Sequence, residues 1–261
     1  MILAIDIGNT TTSFGVFVGQ KLVSHFAIAT QPNRTADEIT LQLKALAKTR
    51  RLHLARASRI LICSVVPRMT GLLTEALDSL DAIPIQVVGQ DLKVPLKNQY
   101  TYPEQVGQDR LVGAYAAWKI YGEKKRNDCI VCDFGTAITI DVVTKTGAYL
   151  GGVIAPGLDI SLDALATRTA LLPKVELKEP PELLGRDTAN SIRSGLLHGC
   201  VALCDGLVTQ LKRQYVPKAT VVATGGSSGL IAKYARTIDH LKPHLVLEGL
   251  LQLTSIRLRI R

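Results

Sequence analysis

The chain has 261 residues, 47% of them hydrophobic and 20% charged, and 31 lysines and arginines against 22 aspartates and glutamates give it a net charge of +9. This composition excludes a disordered or low-complexity chain and is ample for one large α/β domain or two smaller ones. No apolar run reaches the roughly 18 residues of a membrane span, and aromatics at 5% leave little stacking surface for single-stranded nucleic acid, so the scattered basic residues read as solvated faces.

The chain enters its first strand directly, at residues 2–7, with no basic leader before it; that points to a cytoplasmic protein. A second strand is expected over 12–18, a hairpin turn at Gly19-Gln20 and a third strand over 21–29. In "RTADEITLQLKALAKTRRL", Thr35 with Glu38 three residues on forms a capping box, and Ile39, Leu43 and Leu46 recur at helical spacing. "RILICSVVP" reads as a buried strand stopped by Pro67, "MTGLLTEALDSL" as a helix and "PIQVVG" as a further strand.

The pattern then restarts. "DCIVCDFG", "AITIDVVT" and "AYLGGVIAPG" are three strands, with a turn at Lys145 to Gly147 before the last. A helix follows from about Asp159, then a Pro-rich charged arm over "PKVELKEPPELLGRD", a long helix over 187–215, the strand-turn-helix "TVVATGGSSGLI" and a final helical stretch over 249–258. Two copies of one unit are thus expected, each headed by a three-stranded meander whose first strand ends in Asp-x-Gly. The boundary falls near residue 116, giving domains 1–115 and 116–261, with the last helix free to pack back on the first domain.

An apolar strand has no packing reason to end in a carboxylate. Polyphosphate is held by backbone N–H groups in a tight glycine-containing turn, by hydroxyls and by a metal. Gly8 permits close backbone approach, and Thr10, Thr11, Thr12 and Ser13 offer hydroxyl and amide donors. Asp6 would repel phosphate directly and so reads as the grip on a hydrated Mg²⁺, with Asp133 as a second Mg²⁺ contact. There is no G-x-x-x-x-G-K-[ST] and no G-x-G-x-x-G, so a P-loop or Rossmann site is unsupported; two Asp-x-Gly hairpins facing a nucleotide cleft remain. The small-residue turn Thr224 to Ser227 has room for an adenosine or ribose edge. Asp109 and Arg110, at a helix start, read two ways: as a proton acceptor with a charge-neutralising partner, or as an acid favouring the helix dipole beside a surface arginine.

The five cysteines form no zinc pattern. Cys129 and Cys132 lie three apart in one strand and so face opposite ways, which makes them buried structural thiols in a reducing compartment. The five histidines show no ligand spacing.

Six segments in order, "DIGNTTTSFGVF", "SVVP", "VGQDR", "CDFGTAITID", "GGVIAPGLDISLDALATRTALLPKV" and "DTANSIRSG", resemble type III pantothenate kinase across nearly the whole chain. The resemblance implies the acetate/sugar kinase, Hsp70 and actin superfamily: an α/β fold of duplicated actin-like, ribonuclease H-like domains with mixed sheets and an ATP cleft between them. It implies ATP- and Mg²⁺-dependent phosphorylation of pantothenate to 4′-phosphopantothenate, the opening step of coenzyme A biosynthesis, in a homodimer that binds neither nucleic acid nor membrane. Asp6 to Ser13, with Ile7 and Asn9 among them, would bind the ATP phosphates and Thr136 would meet ATP. Tyr100, Gly107, Gln108, Asp109, Arg110 and Thr188 would contact pantothenate, with Asp109 as proton acceptor. Asp133 would bind a monovalent cation, K⁺ or NH₄⁺, rather than Mg²⁺. Two departures stand out: Gln108 where the family commonly has alanine, and Tyr102 where many members have asparagine. A non-catalytic regulator of the Bvg accessory factor kind and a kinase for another small molecule are the rival readings.

Overall fold

The computed structural model describes residues 1–52, 54–79 and 83–254. Strands β1 (Ile2–Ile7), β2 (Thr11–Val18) and β3 (Lys21–Ala29) form the first meander, turning at Gly19, whose φ of +59° suits glycine. β4 (Arg59–Ser64) runs parallel to β1, and β5 (Ile85–Val87) parallel to β4, giving the order β3-β2-β1-β4-β5. Helices α1 (Ala36–Thr49) and α2 (Pro67–Asp78) make the two crossovers. The capping box forms: the Glu38 N–H donates to the Thr35 hydroxyl at 3.3 Å, and the Thr35 N–H donates to the Glu38 carboxylate at 2.8 Å. Pro67 opens α2, where its fixed φ and missing N–H are harmless.

Alternation sends Leu3, Ile5, Ile7, Phe14 and Val16 to one face, where they pack against Ile39 and Leu43 of α1 and Met69 and Leu73 of α2. The other face, at the paired residues Ala4 and Gly15, is covered from far along the chain. A side-chain carbon on Gly15 would meet Leu247 of α7 (Leu245–Leu253) at 3.1 Å. A carbon on Gly249 would in turn lie 2.7 Å from Val112 of α3 (Gln108–Ala117), so those two helices cross in close contact. Residues 255–258, expected to extend α7, lie outside the described residues.

The second unit repeats the plan. β7 (Cys129–Phe134), β8 (Ala137–Val143) and β9 (Ala148–Pro156) form a meander; β10 (Thr220–Thr224) pairs parallel with β7 and β11 (His240–Leu241) parallel with β10. Two short strands are added that the sequence reading missed: β11, and β6 (Lys97–Asn98), which pairs parallel with β9 at the sheet edge. A π turn, Trp118–Gly122, leads from α3 into this unit. Ile130, Cys132 and Phe134 pack against Leu197, Cys204 and Val208 of α5 (Thr188–Gln214), with Leu158 of α4 (Leu158–Arg168) and Ile231 of α6 (Ser228–Ile231). Cys129 faces the opposite way and donates to the Ala117 carbonyl at 3.6 Å. All five cysteines are buried free thiols, and burial pushes those of Cys129 and Cys200 up to about 12.

The two compact units are Met1–Pro95 with Glu104–Ala116 and the chain from Val246 onward, and Leu96–Pro103 with Ala117–Leu245. Beside the single cut expected near residue 116, the pairing of β6 with β9 assigns Leu96–Pro103 to the second unit, and the packing of α7 on α3 returns the last helix to the first. No helix among the described residues is long and apolar enough to cross a membrane.

Candidate active site

In the first unit, Asp6 is the next-to-last residue of β1 and the half-buried position between buried Ile5 and Ile7. Its register partners are Ser13 on β2 and Cys63 on β4, so these three side chains share the sheet face turned away from α1 and α2. The turn after β1 is closed by the Gly8 N–H donating to the Thr11 carbonyl at 3.0 Å. Asn9, Thr10 and Thr11 are exposed there, whereas Thr12 is wholly buried on the core face. The Thr12 hydroxyl lies 2.9 Å from the Thr30 hydroxyl, which donates to the Gly8 carbonyl at 2.7 Å. Ile7 is likewise wholly buried, so it can offer a ligand only its backbone.

Asp109 reaches the same face from α3. Its carboxylate folds back over Gly107, where any side-chain carbon would overlap it, and accepts from the Arg110 N–H at 2.8 Å. That same carbon on Gly107 would touch Val65, just past β4, at 3.6 Å. Cys63 reports the outcome. Burial pushes its thiol well above the ordinary range, and the negative charges of Asp6 and then Asp109 push it further. Two carboxylates from distant parts of the chain therefore lie close to one thiol. Gln108, the first departure from the family pattern, turns toward Gly89 beyond β5: a carbon added at Gly89, where φ is +89°, would sit 3.0 Å from its amide carbon.

In the second unit, Asp133 again stands next to last in its strand, half-buried between Cys132 and Phe134. Its register partners are Thr139 on β8 and Thr224 on β10, so the turn Thr224 to Ser227 starts beside it. Gly225, at φ +91°, lies so close to the Asp133 carboxylate and the Phe134 backbone that no side chain fits, and the Ser227 N–H donates to the Phe134 carbonyl at 3.1 Å. The hairpin turn is closed by the Gly135 N–H donating to the Ala137 carbonyl at 3.2 Å, and the Gly157 N–H donates to the Thr136 carbonyl at 3.1 Å. Tyr100 packs over Gly151 on β9, 3.3 Å from where a side-chain carbon would stand. Thr188 is exposed at the first position of α5, behind the N-cap Asp187, whose carboxyl is lowered by the Asn190 N–H it accepts at 2.8 Å.

The described contacts thus group Asp6, Cys63, Gly107 and Asp109 in one unit and Asp133, Thr136, Gly157 and Gly225 in the other. Sequence reasoning missed Cys63 and Thr30, neither of which carries a motif; only strand register reveals them. It also missed the buried hydrogen bond from the Tyr149 hydroxyl to Asp141, 2.7 Å, which ties β9 to β8. Among the described residues no three His, Cys, Asp or Glu side chains cluster as a metal cage. A cation beside Asp6 would rest on one carboxylate with hydroxyl, water and phosphate oxygens around it, a donor set that suits Mg²⁺.

A family model described as type III pantothenate kinase matches residues 2–210. Curated relatives of that name include one from Moorella thermoacetica, 40% identical over 96% of this chain and 97% of its own, and one from Anaeromyxobacter dehalogenans, 42% identical over the same shares. Among solved structures, a Campylobacter jejuni protein described as a candidate Baf family transcriptional activator is similar in fold at a TM-score of 0.56 and 18% identity, over 96% of this chain and 95% of that one. A candidate 2-dehydro-3-deoxygalactonokinase from Sinorhizobium meliloti is similar at 0.57 and 12%, over 97% and 98%.

Proposed function

The chain belongs to the type III pantothenate kinase family, and from that membership we propose that it transfers the terminal phosphoryl group of ATP to the primary hydroxyl of pantothenate, giving 4′-phosphopantothenate in the first step of coenzyme A biosynthesis. The single observation that carries the reading is that the strand end bearing Asp6 pairs with Cys63 of β4 and with Val65 just past it, and Gly107, over which the Asp109 carboxylate folds, stands against that same Val65. Phosphoryl transfer to an alcohol needs an acid to hold a cation and a second to take a proton. Asp6 is the residue that would hold a hydrated Mg²⁺, which supplies charge neutralisation on the phosphates when bound. The exposed turn Asn9 to Thr11, with Gly8 and Ser13, receives the phosphates; Thr12 and Ile7 support it from the buried side.

Asp109 accepts the substrate hydroxyl proton. Its carboxylate is kept in one orientation by the Arg110 N–H and by the bare surface of Gly107, so it needs little rearrangement to act. Arg110, Gly107, Tyr100 and Thr188 contact pantothenate, a carboxylate with hydroxyl and amide groups; Arg110 suits the carboxylate. Gln108 rests against Gly89 and so contributes to the substrate pocket through its backbone. Asp133 holds K⁺ or NH₄⁺, in keeping with its one carboxylate pressed against the Gly225 backbone, and Thr136 meets ATP. The enzyme works in the cytoplasm as a homodimer.

The test is transfer from ATP to pantothenate, followed as 4′-phosphopantothenate by mass spectrometry, with Mg²⁺ and with or without K⁺. Formation of product that rises with K⁺ or NH₄⁺ is expected. No transfer under any ion condition, together with transfer to a sugar or acetate, would overturn it.

A further inference from the structure

Thr30 belongs to no motif, yet it makes three contacts with the phosphate turn. Its N–H donates to the Thr10 carbonyl at 2.9 Å, its hydroxyl donates to the Gly8 carbonyl at 2.7 Å, and that hydroxyl lies 2.9 Å from the Thr12 hydroxyl. A hydroxyl has one proton. The Gly8 carbonyl can only accept, so the Thr30 proton is spent there, and Thr12 must be the donor to Thr30. The order Thr12 to Thr30 to Gly8 is therefore fixed, and neither hydroxyl proton remains for a ligand.

We infer that Thr30 is a positioning residue for ATP. A trans peptide is planar, with N–H and C=O on opposite sides. Fixing the Gly8 carbonyl toward Thr30 thus aims the Asn9 N–H away from it, toward the exposed side of the turn. Backbone N–H groups are what a turn of this kind offers to phosphate. Without the brace the Gly8–Asn9 peptide can rotate, and ordering it again is charged against nucleotide binding.

The repeat in the second unit supports this assignment. There the residue closing the meander is Gly157, whose N–H bonds Thr136 as the Thr30 N–H bonds Thr10. The backbone of that turn sits where a side chain would begin, and there is no room for one at Gly157. The first turn is longer and leaves a gap, which the Thr30 side chain fills.

The inference rests on the reading of residues 6–13 as the ATP turn. Its test compares Thr30→Val, which keeps the shape and removes the hydroxyl, with Thr30→Ser, which keeps the hydroxyl. Loss of two hydrogen bonds of ordinary strength is expected to raise KM for ATP about tenfold, equivalent to about 1.4 kcal/mol. The expected KM for pantothenate is unchanged, kcat stays within about twofold, and Thr30→Ser returns KM for ATP close to the wild-type value. A Thr30→Val enzyme with unaltered KM for ATP overturns the inference, as does one that loses affinity for both substrates alike or is not rescued by serine. Calorimetric titration with ATP alone separates this from the proposed function. Wild type that binds ATP without turning over pantothenate sinks the proposed reaction, while weaker ATP binding by Thr30→Val alone still upholds the role of Thr30.

Discussion

The two hairpins that follow an acid-tipped strand share a topology and differ in how they are closed. In the first unit Ile7 pairs with Thr12, and in the second Phe134 pairs with Ile138, so the second turn is one residue shorter. The longer turn carries a row of threonines and is braced by the side chain of Thr30. The shorter one settles directly on Gly157, where only hydrogen is tolerated. The difference shows two solutions to one problem. A turn meant to present N–H groups must be held without using those groups, either by a neighbouring hydroxyl or by backbone in direct contact. The first unit also has a second carboxylate, Asp109, brought in by α3, whereas in the second unit the buried Asp141 of β8 is engaged by the Tyr149 hydroxyl, which donates to it at 2.7 Å.

The largest expected effect tests that asymmetry. Asp109→Asn should lower kcat by about 10²- to 10⁴-fold, the usual worth of a positioned proton acceptor, while ATP binding measured by calorimetry stays near wild type; near-normal turnover would remove the chemical distinction between the halves. Next, Asp6→Asn and Asp133→Asn should fail differently. The first should raise the Mg²⁺ concentration for half-maximal rate about tenfold, on the scale of one lost charge-assisted contact, with the K⁺ response intact. The second should abolish the K⁺ or NH₄⁺ response at an unchanged Mg²⁺ requirement. Identical ion profiles for the two variants would mean that the carboxylates are not specialised.

Smaller effects concern the folded state. Gly157→Ala puts a methyl against the Gly135 and Thr136 carbonyls, both rigid backbone; it should cost about 1–3 kcal/mol and lower the thermal midpoint by several degrees. A midpoint unchanged by that substitution would show that the second turn has slack. Thr35→Ala, which removes the cap that Thr35 forms with Glu38 at the start of α1, should cost only about 1 kcal/mol with kinetics unchanged; altered kinetics would mean that α1 influences the site.

Much of this was legible in the residues. Both meanders, the capping box at Thr35 and the placement of Asp6 and Asp133 at strand ends follow from alternation and turn chemistry. The acid in each strand announces itself by breaking an apolar run. What could not be read depends on tertiary register. Thr10, Thr11, Thr12 and Ser13 look equivalent in a string, yet strand alternation turns Thr12 into the core and Ser13 toward Asp6. That the Gln108 side chain rests on Gly89 depends on how α3 approaches the loop beyond β5, which no local pattern records. The two-residue strand β6 is too short to show any period, and Cys63 matters only because β4 lies beside β1.

The chain crosses between the two units four times, after Pro95, Pro103, Ala116 and Leu245. The sheet that bears Asp6 is covered by Leu247, and the helix that delivers Asp109 is gripped at Val112 by Gly249. These residues leave the ribosome after everything they cover. During synthesis the first unit must therefore wait, with one face of its sheet bare, until α7 has emerged. Removal of the final helix should accordingly leave a chain that chaperones retain and proteases clear, rather than a shorter working enzyme.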